Sequence, residues 1–140
     1  MSFEIKVGDS VSLRRTFSDA DVRLFADLVG DHNPVHLNEE FAAGTQFKQR
    51  IVHGMLVSSL FSTLLGTRLP GHGAIYMGQD VKFKAPVYLD MEVIAKVEVK
   101  LIRQDKGIVT MGLSCEDNAG KTLIAGEAVM YCPWLKAAAA

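Results

Sequence analysis

Four polar side chains that can exchange protons or hydrogen bonds lie within residues 31–36. They are Asp31, His32, Asn33 and His36, and one proline, Pro34, stands among them. A carboxylate and an imidazole are groups that commonly act as general base and general acid near neutral pH. Pro34 fixes its own φ and drives the preceding residue towards extended geometry. The sequence therefore predicts a stiff loop that directs Asp31 and His36 at one point.

A second segment, Val52-His53-Gly54-Met55, lies at the start of an uncharged run, Ile51–Thr67. The first backbone N–H groups of a helix have no partner inside the helix, and they carry the positive end of its dipole. Gly54 would let a ligand approach that backbone closely. Such a helix start suits a developing oxyanion, for example the enolate of a thioester.

The elements that must position these groups start with a short strand and a helix. Val11 and Leu13 alternate with polar residues, which predicts the strand. Ser18 has the sequence context of an N-cap, and Asp21 has the spacing of a capping box. An apolar face with helical spacing follows, formed by Val22, Phe25, Ala26 and Val29. Gly30 is suited to end this helix in the left-handed conformation.

A second helix is predicted from Gly54 to about Arg68, apolar nearly all round and hence enclosed by other elements. After the breaker Pro70–Gly73 the apolar period changes to two. Four strands are predicted, around Val81–Ala85, Val93–Leu101, Val109–Leu113 and Leu123–Tyr131. Short connections favour antiparallel pairing. The predicted fold class is α+β, with a curved antiparallel sheet wrapped around the uncharged helix.

Composition bounds the domain organisation and excludes several function classes. The chain has 140 residues, which fits a single domain over 1–136 followed by a short tail over 137–140. Its formal net charge is −1, and no basic run is longer than Arg14-Arg15, which argues against nucleic-acid binding. Two cysteines are too few for a disulfide framework.

The same reasoning predicts a cytoplasmic protein with no membrane span. Residues 1–6 lack the basic-then-apolar order of a signal peptide. The uncharged run Ile51–Thr67 is shorter than the ~20 apolar residues that a spanning helix needs, and serines and a histidine interrupt it.

The two polar segments resemble the MaoC-like, (R)-specific enoyl-CoA hydratase family ("hydratase 2"), which has the hot-dog fold. The family pattern runs aromatic, spacer, aliphatic, small residue, Gly-Asp-x-Asn-Pro-aliphatic-His, and then a small residue six positions on. Matching residues here are Phe25, Leu28, Gly30, Asp31, Asn33, Pro34, Val35, His36 and Ala42. Val29 departs from the pattern, where a small residue is usual. Val52–Met55 and Phe83–Val87 are also similar to the family, and the likeness runs from about Val7 to Tyr131.

The resemblance implies reversible syn addition of water to a trans-2-enoyl-CoA, giving the (R)-3-hydroxyacyl-CoA, in fatty-acid oxidation or polyhydroxyalkanoate precursor supply. Asp31 and His36 match the pair that holds the water, and Asn33 matches a residue that bonds the water or the product hydroxyl. Gly54 matches the backbone donor to the thioester oxygen. Ser62 matches a polar residue that supports the catalytic loop. The resemblance also implies a homodimer with sheets joined edge to edge, and no metal or other cofactor.

Several alternatives stay open at this stage. The chain could be a 3-hydroxyacyl-thioester dehydratase, acting on a CoA or acyl-carrier-protein thioester, or a non-catalytic acyl-CoA-binding domain. His32 and His36 with Asp31 could be metal ligands, although Pro34 breaks their helical register. His53 is interpreted as a structural residue that orients the loop before Gly54. Basic residues on predicted strands could meet CoA phosphates or face solvent: Lys82, Lys84 and Arg103.

Overall fold

A curved sheet of five antiparallel strands forms the frame of the protein. The structure is a computed structural model and describes residues 4–139. The strands are β1 (Ser10–Thr16), β2 (Ile75–Phe83), β3 (Glu92–Arg103), β4 (Ile108–Glu116) and β5 (Thr122–Tyr131). Their order across the sheet is β1-β3-β4-β5-β2, and all neighbours are antiparallel. The predicted antiparallel sheet is confirmed, and β1 and β2 are its two edges.

Within residues 4–139, five helices accompany the sheet. They are α1 (Asp19–Val29), α2 (Pro34–Leu37), α3 (Glu39–Ala43), α4 (Gly54–Thr67) and α5 (Pro133–Ala139). The predicted start and end of α1 are confirmed: Ser18 and Asp21 form a capping box, and Gly30 has φ 84°. The helix α5 includes residues 137–139, so this part of the expected tail is helical.

The long helix α4 packs against β1, β2 and β3 and supplies much of the core. Its buried apolar side chains are Val57, Leu60, Phe61, Leu64 and Leu65. They meet alternate residues of the central strands β3 and β4, which places the core between helix and sheet. A curved sheet around this helix is the arrangement that the sequence predicts, and the resemblance implies it as the hot-dog fold. The expectation that α4 is enclosed all round is wrong for one face, where Met55, Ser59, Ser62 and Thr63 are exposed.

A bulge in β3 explains one strand residue that the alternation misplaces. The pattern puts Leu101 on the same face as Val97 and Val99, yet Leu101 is exposed whereas the two valines are fully buried. The register between β3 and β4 shifts between Val99 and Leu101, which leaves Lys100 as an extra residue. An extra residue reverses the side to which the following residues point.

Within residues 4–139, none of the helices is both long and apolar enough to cross a membrane. The uncharged run that raised this alternative contains α4, which has 14 residues.

Candidate active site

The segment after α1 is partly helical, and two side chains fix its shape. Asn33 is the N-cap of α2: its Oδ1 accepts a hydrogen bond from the backbone N–H of Val35 at 3.2 Å. The Asp31 carboxylate accepts from the Asn33 N–H at 3.3 Å. Pro34 occupies the first turn, where its missing N–H costs nothing. The prediction of a loop through His36 is therefore wrong, because Asn33 and Pro34 start a helical turn.

A long-range hydrogen bond holds the His36 ring. Its ring Nδ1 lies 2.8 Å from the carbonyl oxygen of Ile51. A carbonyl only accepts hydrogen bonds, so Nδ1 carries the proton and Nε2 of the neutral ring offers a lone pair. His36 is only 8% exposed, and burial is the main cause that lowers its pKa. The nearby His53 lowers the pKa further, while the Ile51 carbonyl and Asp31 oppose the shift. The ring is thus neutral near pH 7.

Asp31, His36 and His53 come together at one point. One carboxylate oxygen of Asp31 and one ring nitrogen of each histidine all lie within 4.8 Å of one another. Two groups that each bond one water at about 2.8 Å lie roughly 4.6 Å apart at a tetrahedral angle. The separation therefore allows one water to bond Asp31 and His36 together, as the resemblance implies.

The three side chains that could hold a metal differ from those considered from the sequence, which were Asp31, His32 and His36. His32 lies outside the group, because its Nε2 bonds the Asp27 carboxylate at 3.0 Å and the side chain is exposed. The third donor beside Asp31 and His36 is His53 instead. Two imidazoles and a carboxylate are a donor set that zinc accepts. Each histidine already bonds a backbone carbonyl through one nitrogen, so at most one nitrogen of each remains for a ligand, and that of His53, Nδ1, is buried.

Arg50 is a site residue that the sequence analysis missed. Its guanidinium is almost fully buried, and Nε donates to the carbonyl oxygen of His36 at 2.7 Å. A terminal nitrogen donates to the Asp19 carboxylate at 2.6 Å. This bond is the main cause that holds the pKa of Asp19 below its usual range, and Arg23 adds to it. The only sequence signal was a lone charge next to an uncharged run.

Gly54 begins α4, so its backbone N–H has no acceptor inside the helix. It lines a cavity of about 490 Å³ with mostly apolar walls, which include Phe47, Val52, Val57, Phe83, Val87 and Ile124. The edge of the Phe83 ring fills the space that a Cβ at Gly54 would need, 2.7 Å from that position. Small size at residue 54 therefore accommodates a neighbouring ring in this structure.

The cavity and the acid–base pair meet at residues 51–54. Asp31 and His36 are not among the residues that line the cavity, whereas Ile51 and Gly54 both are. The carbonyl of Ile51 holds the His36 ring, and Gly54 follows it by three residues. This short segment thus connects an apolar cavity with the Asp31 and His36 side chains.

Ser62 is not joined to the catalytic loop within the described chain. It is exposed on α4, and its side chain makes no hydrogen bond among residues 4–139. It lines a separate surface depression of about 400 Å³, together with Met55, Tyr76 and Gln79. Its predicted supporting role stays a prediction that no contact within the chain supports.

Of the three basic residues considered for contact with CoA phosphates, one lies at the apolar cavity and two lie at the surface away from it. Lys84 lines the apolar cavity. Lys82 faces Asp80 at 3.8 Å, and Arg103 faces Asp105 at 3.6 Å, both at the surface. Lys84 is therefore the one of the three that lies at the cavity.

Comparisons with known proteins agree with this fold. The family model described as "MaoC like domain" matches residues 3–118. The (R)-specific enoyl-CoA hydratase of Rhodospirillum rubrum is 49% identical over 130 residues, 93% of this chain and 90% of that protein. The enzyme of that name from Aeromonas caviae is 47% identical over 129 residues, 92% and 96% of the two chains.

A solved structure of a relative has the same fold. The chain described as the (R)-hydratase from A. caviae involved in PHA biosynthesis superposes with a TM-score of 0.90. It is 46% identical, and the match covers 94% of this chain and all of that one. This protein belongs to the MaoC-like domain family and has its hot-dog fold.

Proposed function

We propose that this chain is an (R)-specific enoyl-CoA hydratase. It would catalyse the reversible syn addition of water to a trans-2-enoyl-CoA. The observation that carries the proposal is the approach of Asp31 and His36 to within 4.8 Å, beside an apolar cavity that Gly54 lines. The (R)-hydratase names of the relatives that cover nearly the whole chain support the same activity.

In the proposed mechanism one water lies between the Asp31 carboxylate and Nε2 of His36. Asp31 takes a proton from the water while the water oxygen attacks C3 of the enoyl thioester. The C2–C3 π electrons move towards the thioester oxygen, where the N–H of Gly54 stabilises the enolate charge. The proton that Asp31 took then passes through Nε2 of His36 to C2 on the same face, where the enolate electrons form the new C–H bond. Both groups end as they began, and no electrons leave the substrate.

The neutral state of His36 fits this scheme. Burial lowers the pKa of the ring, and its Nδ1 proton is committed to the Ile51 carbonyl. Nε2 is therefore available as an acceptor for the water rather than as a fixed donor. Asn33 uses its side-chain oxygen to cap α2, so its proposed contact with the water or product hydroxyl would come from the amide nitrogen.

The proposal includes a homodimer and a CoA thioester as substrate. The edge strand β2 exposes Ile75, Met77 and Phe83, and the adjoining face of α4 exposes Met55. An exposed apolar edge strand is a surface that proteins usually cover by pairing. The exposed Ser62 lies on that same face of α4, so its proposed supporting role would be to a second subunit's loop. Lys84 at the cavity is the basic residue best placed to meet a CoA phosphate.

A single domain over 1–136 and a cytoplasmic location are also part of the proposal. Cys115 and Cys132 are free thiols inside the core, where burial raises their pKa to about 12 and about 11. Free thiols of this kind suit a reducing compartment.

The test is hydration of crotonyl-CoA, followed as the loss of enoyl-thioester absorbance, with chiral analysis of the product. We expect (R)-3-hydroxybutyryl-CoA. No turnover with crotonyl-CoA or with a series of longer enoyl-CoA chains would contradict the proposal, as would an (S) product. Turnover confined to the acyl-carrier-protein thioester would assign the chain to the dehydratase alternative. Binding of acyl-CoA without any turnover would assign it to the non-catalytic one.

A further inference from the structure

His53 lies between two parts of the proposed site, the segment that carries Asp31 and His36 and the start of α4 at Gly54. It needs to touch no substrate atom to affect both. It is the residue immediately before Gly54, at the N-cap of α4, and its side chain does not cap the helix. Instead its Nε2 lies 3.0 Å from the backbone carbonyl oxygen of Asp31, 22 residues earlier. Because a carbonyl only accepts, Nε2 carries the proton and donates it.

Among residues 4–139, that bond is the one hydrogen bond of the His53 side chain. The residue is 2% exposed, and Nδ1 is buried without a partner among residues 4–139. The ring stacks on His36 with centroids 3.9 Å apart, and it meets the Phe25 ring edge-on at 4.8 Å. A buried polar atom without a partner disfavours folding. Packing alone would therefore be served better by an apolar ring at this position.

We propose that His53 is a positioning residue that joins the acid–base loop to the proposed oxyanion donor through the hydrogen bond from Nε2 to the Asp31 carbonyl. Its main chain leads directly into Gly54, and its side chain holds the main chain of Asp31. One residue therefore sets the distance between the group that activates water and the group that stabilises the enolate. This inference rests on the proposed hydratase activity.

The separate contacts of the ring allow a sharp set of variants. His53→Gln keeps an N–H near the position of Nε2 but removes the ring. His53→Phe keeps an aromatic ring that can stack on His36, although a larger, six-membered one, and it removes both nitrogens. Since Nδ1 has no partner among residues 4–139, the hydrogen bond that is lost is the one to Asp31. His53→Asn places its amide near the position of Nδ1, so it neither reaches the Asp31 carbonyl nor stacks on His36. His72, an exposed histidine in a loop, provides the matched control substitutions.

The experiment measures kcat and KM for crotonyl-CoA, with the thermal midpoint of each variant recorded. We expect His53→Phe and His53→Asn to lower kcat by about 10- to 100-fold with KM changed less than threefold, since a misplacement of about 1 Å has an effect of this size. His53→Gln is expected to retain kcat within about fivefold, and His72→Gln and His72→Phe to match the wild type.

The comparison between Phe and Gln decides the proposal. A Phe variant that is folded and as active as the wild type would overturn it, as would a folded Gln variant that is no better than Phe. A loss seen in KM alone would also overturn it, because positioning of the reacting groups acts on kcat. If one of these two variants does not fold, the other is still compared with the wild type: His53→Phe has a ring without the donor, and His53→Gln has a donor without the ring. An inactive wild type would instead contradict the proposed function and leave the hydrogen bond to be tested by the thermal midpoints of Phe against Gln.

Discussion

Arg50 donates a hydrogen bond from Nε to the backbone carbonyl of His36 at 2.7 Å, and this bond holds the turn that carries the proposed acid–base histidine. The same guanidinium bonds Asp19 at the start of α1. A planar fork is needed to reach both acceptors at once, and arginine is the residue that supplies it. The turn that presents His36 is thus fastened to the helix that precedes the site.

Arg50→Lys is expected to weaken this fastening while keeping the charge. A lysine reaches one acceptor at a time, so kcat for crotonyl-CoA should fall by about tenfold, and Arg50→Ala should lower the thermal midpoint of the protein as well. Arg14→Lys is the control, since Arg14 forms an exposed pair with Glu92. Equal kcat for the Arg50→Lys and Arg14→Lys variants would contradict the role.

The histidines should titrate in a defined order. Burial and the neighbouring His53 lower the pKa of His36, whereas the hydrogen bond to Asp27 raises the pKa of the exposed His32. NMR titration of the ring protons should place His36 below 6.5 and His32 above it. Asp31 and His53 are the titratable side chains that act on the pKa of the His36 ring, and the Arg50 guanidinium bonds the backbone carbonyl of His36. A titration of His36 at or above that of His32 would contradict the described surroundings.

The same shift predicts the acid side of the pH–rate profile. A depressed folded-state pKa means that His36 stays neutral as pH falls through its usual value and protonates only below it. Protonation removes the Nε2 lone pair, so kcat/KM should hold down to about pH 6.5 and decline below that. Stability has the same sign, because a buried neutral histidine resists protonation and its contribution is lost as pH falls through the folded pKa. A decline that begins above pH 6.5 would not fit this assignment.

Gly54→Ala should reduce activity for two reasons. The added methyl group would collide with Phe83, and it would crowd the backbone N–H proposed to bind the thioester oxygen. The added Cβ would lie 2.7 Å from the Phe83 ring, and Phe83 is 52% exposed and hence able to move. We expect at least a tenfold loss of kcat/KM, with partial recovery in Gly54→Ala/Phe83→Ala. Gly66→Ala is the matched control, because it lies on the same helix with open space around its Cβ position. Wild-type activity of Gly54→Ala alone would show that a glycine at residue 54 is not required.

The parts of the site that the sequence predicted depend on neighbours along the chain. Ser18 and Asp21 set the start of α1, Gly30 sets its end, and the cluster that contains Asp31 and His36 follows within six residues. Caps and turns of this kind use contacts three or four residues apart, so residue types and spacing reveal them.

The parts that the sequence did not predict depend on distant contacts. Arg50 meets residues 14 and 31 positions away, and His53 meets Asp31 across 22. Neither spacing has a local signature, and a buried arginine looks like any other charge in a sequence. The exposed face of α4 was missed for a related reason: hydropathy reports that side chains are apolar, and only the packing of the sheet decides which of them it covers.

The most direct test of the central claim compares crotonyl-CoA hydration by Asp31→Asn and His36→Gln with hydration by His32→Gln. His32 lies next to Asp31 in sequence but bonds Asp27 at the surface, so its variant controls for changes to the loop. We expect the first two variants to lose several orders of magnitude in kcat and to stay folded, while His32→Gln remains within about threefold of the wild type. Hydration at an unchanged rate by either the Asp31 or the His36 variant would contradict the assignment of the pair.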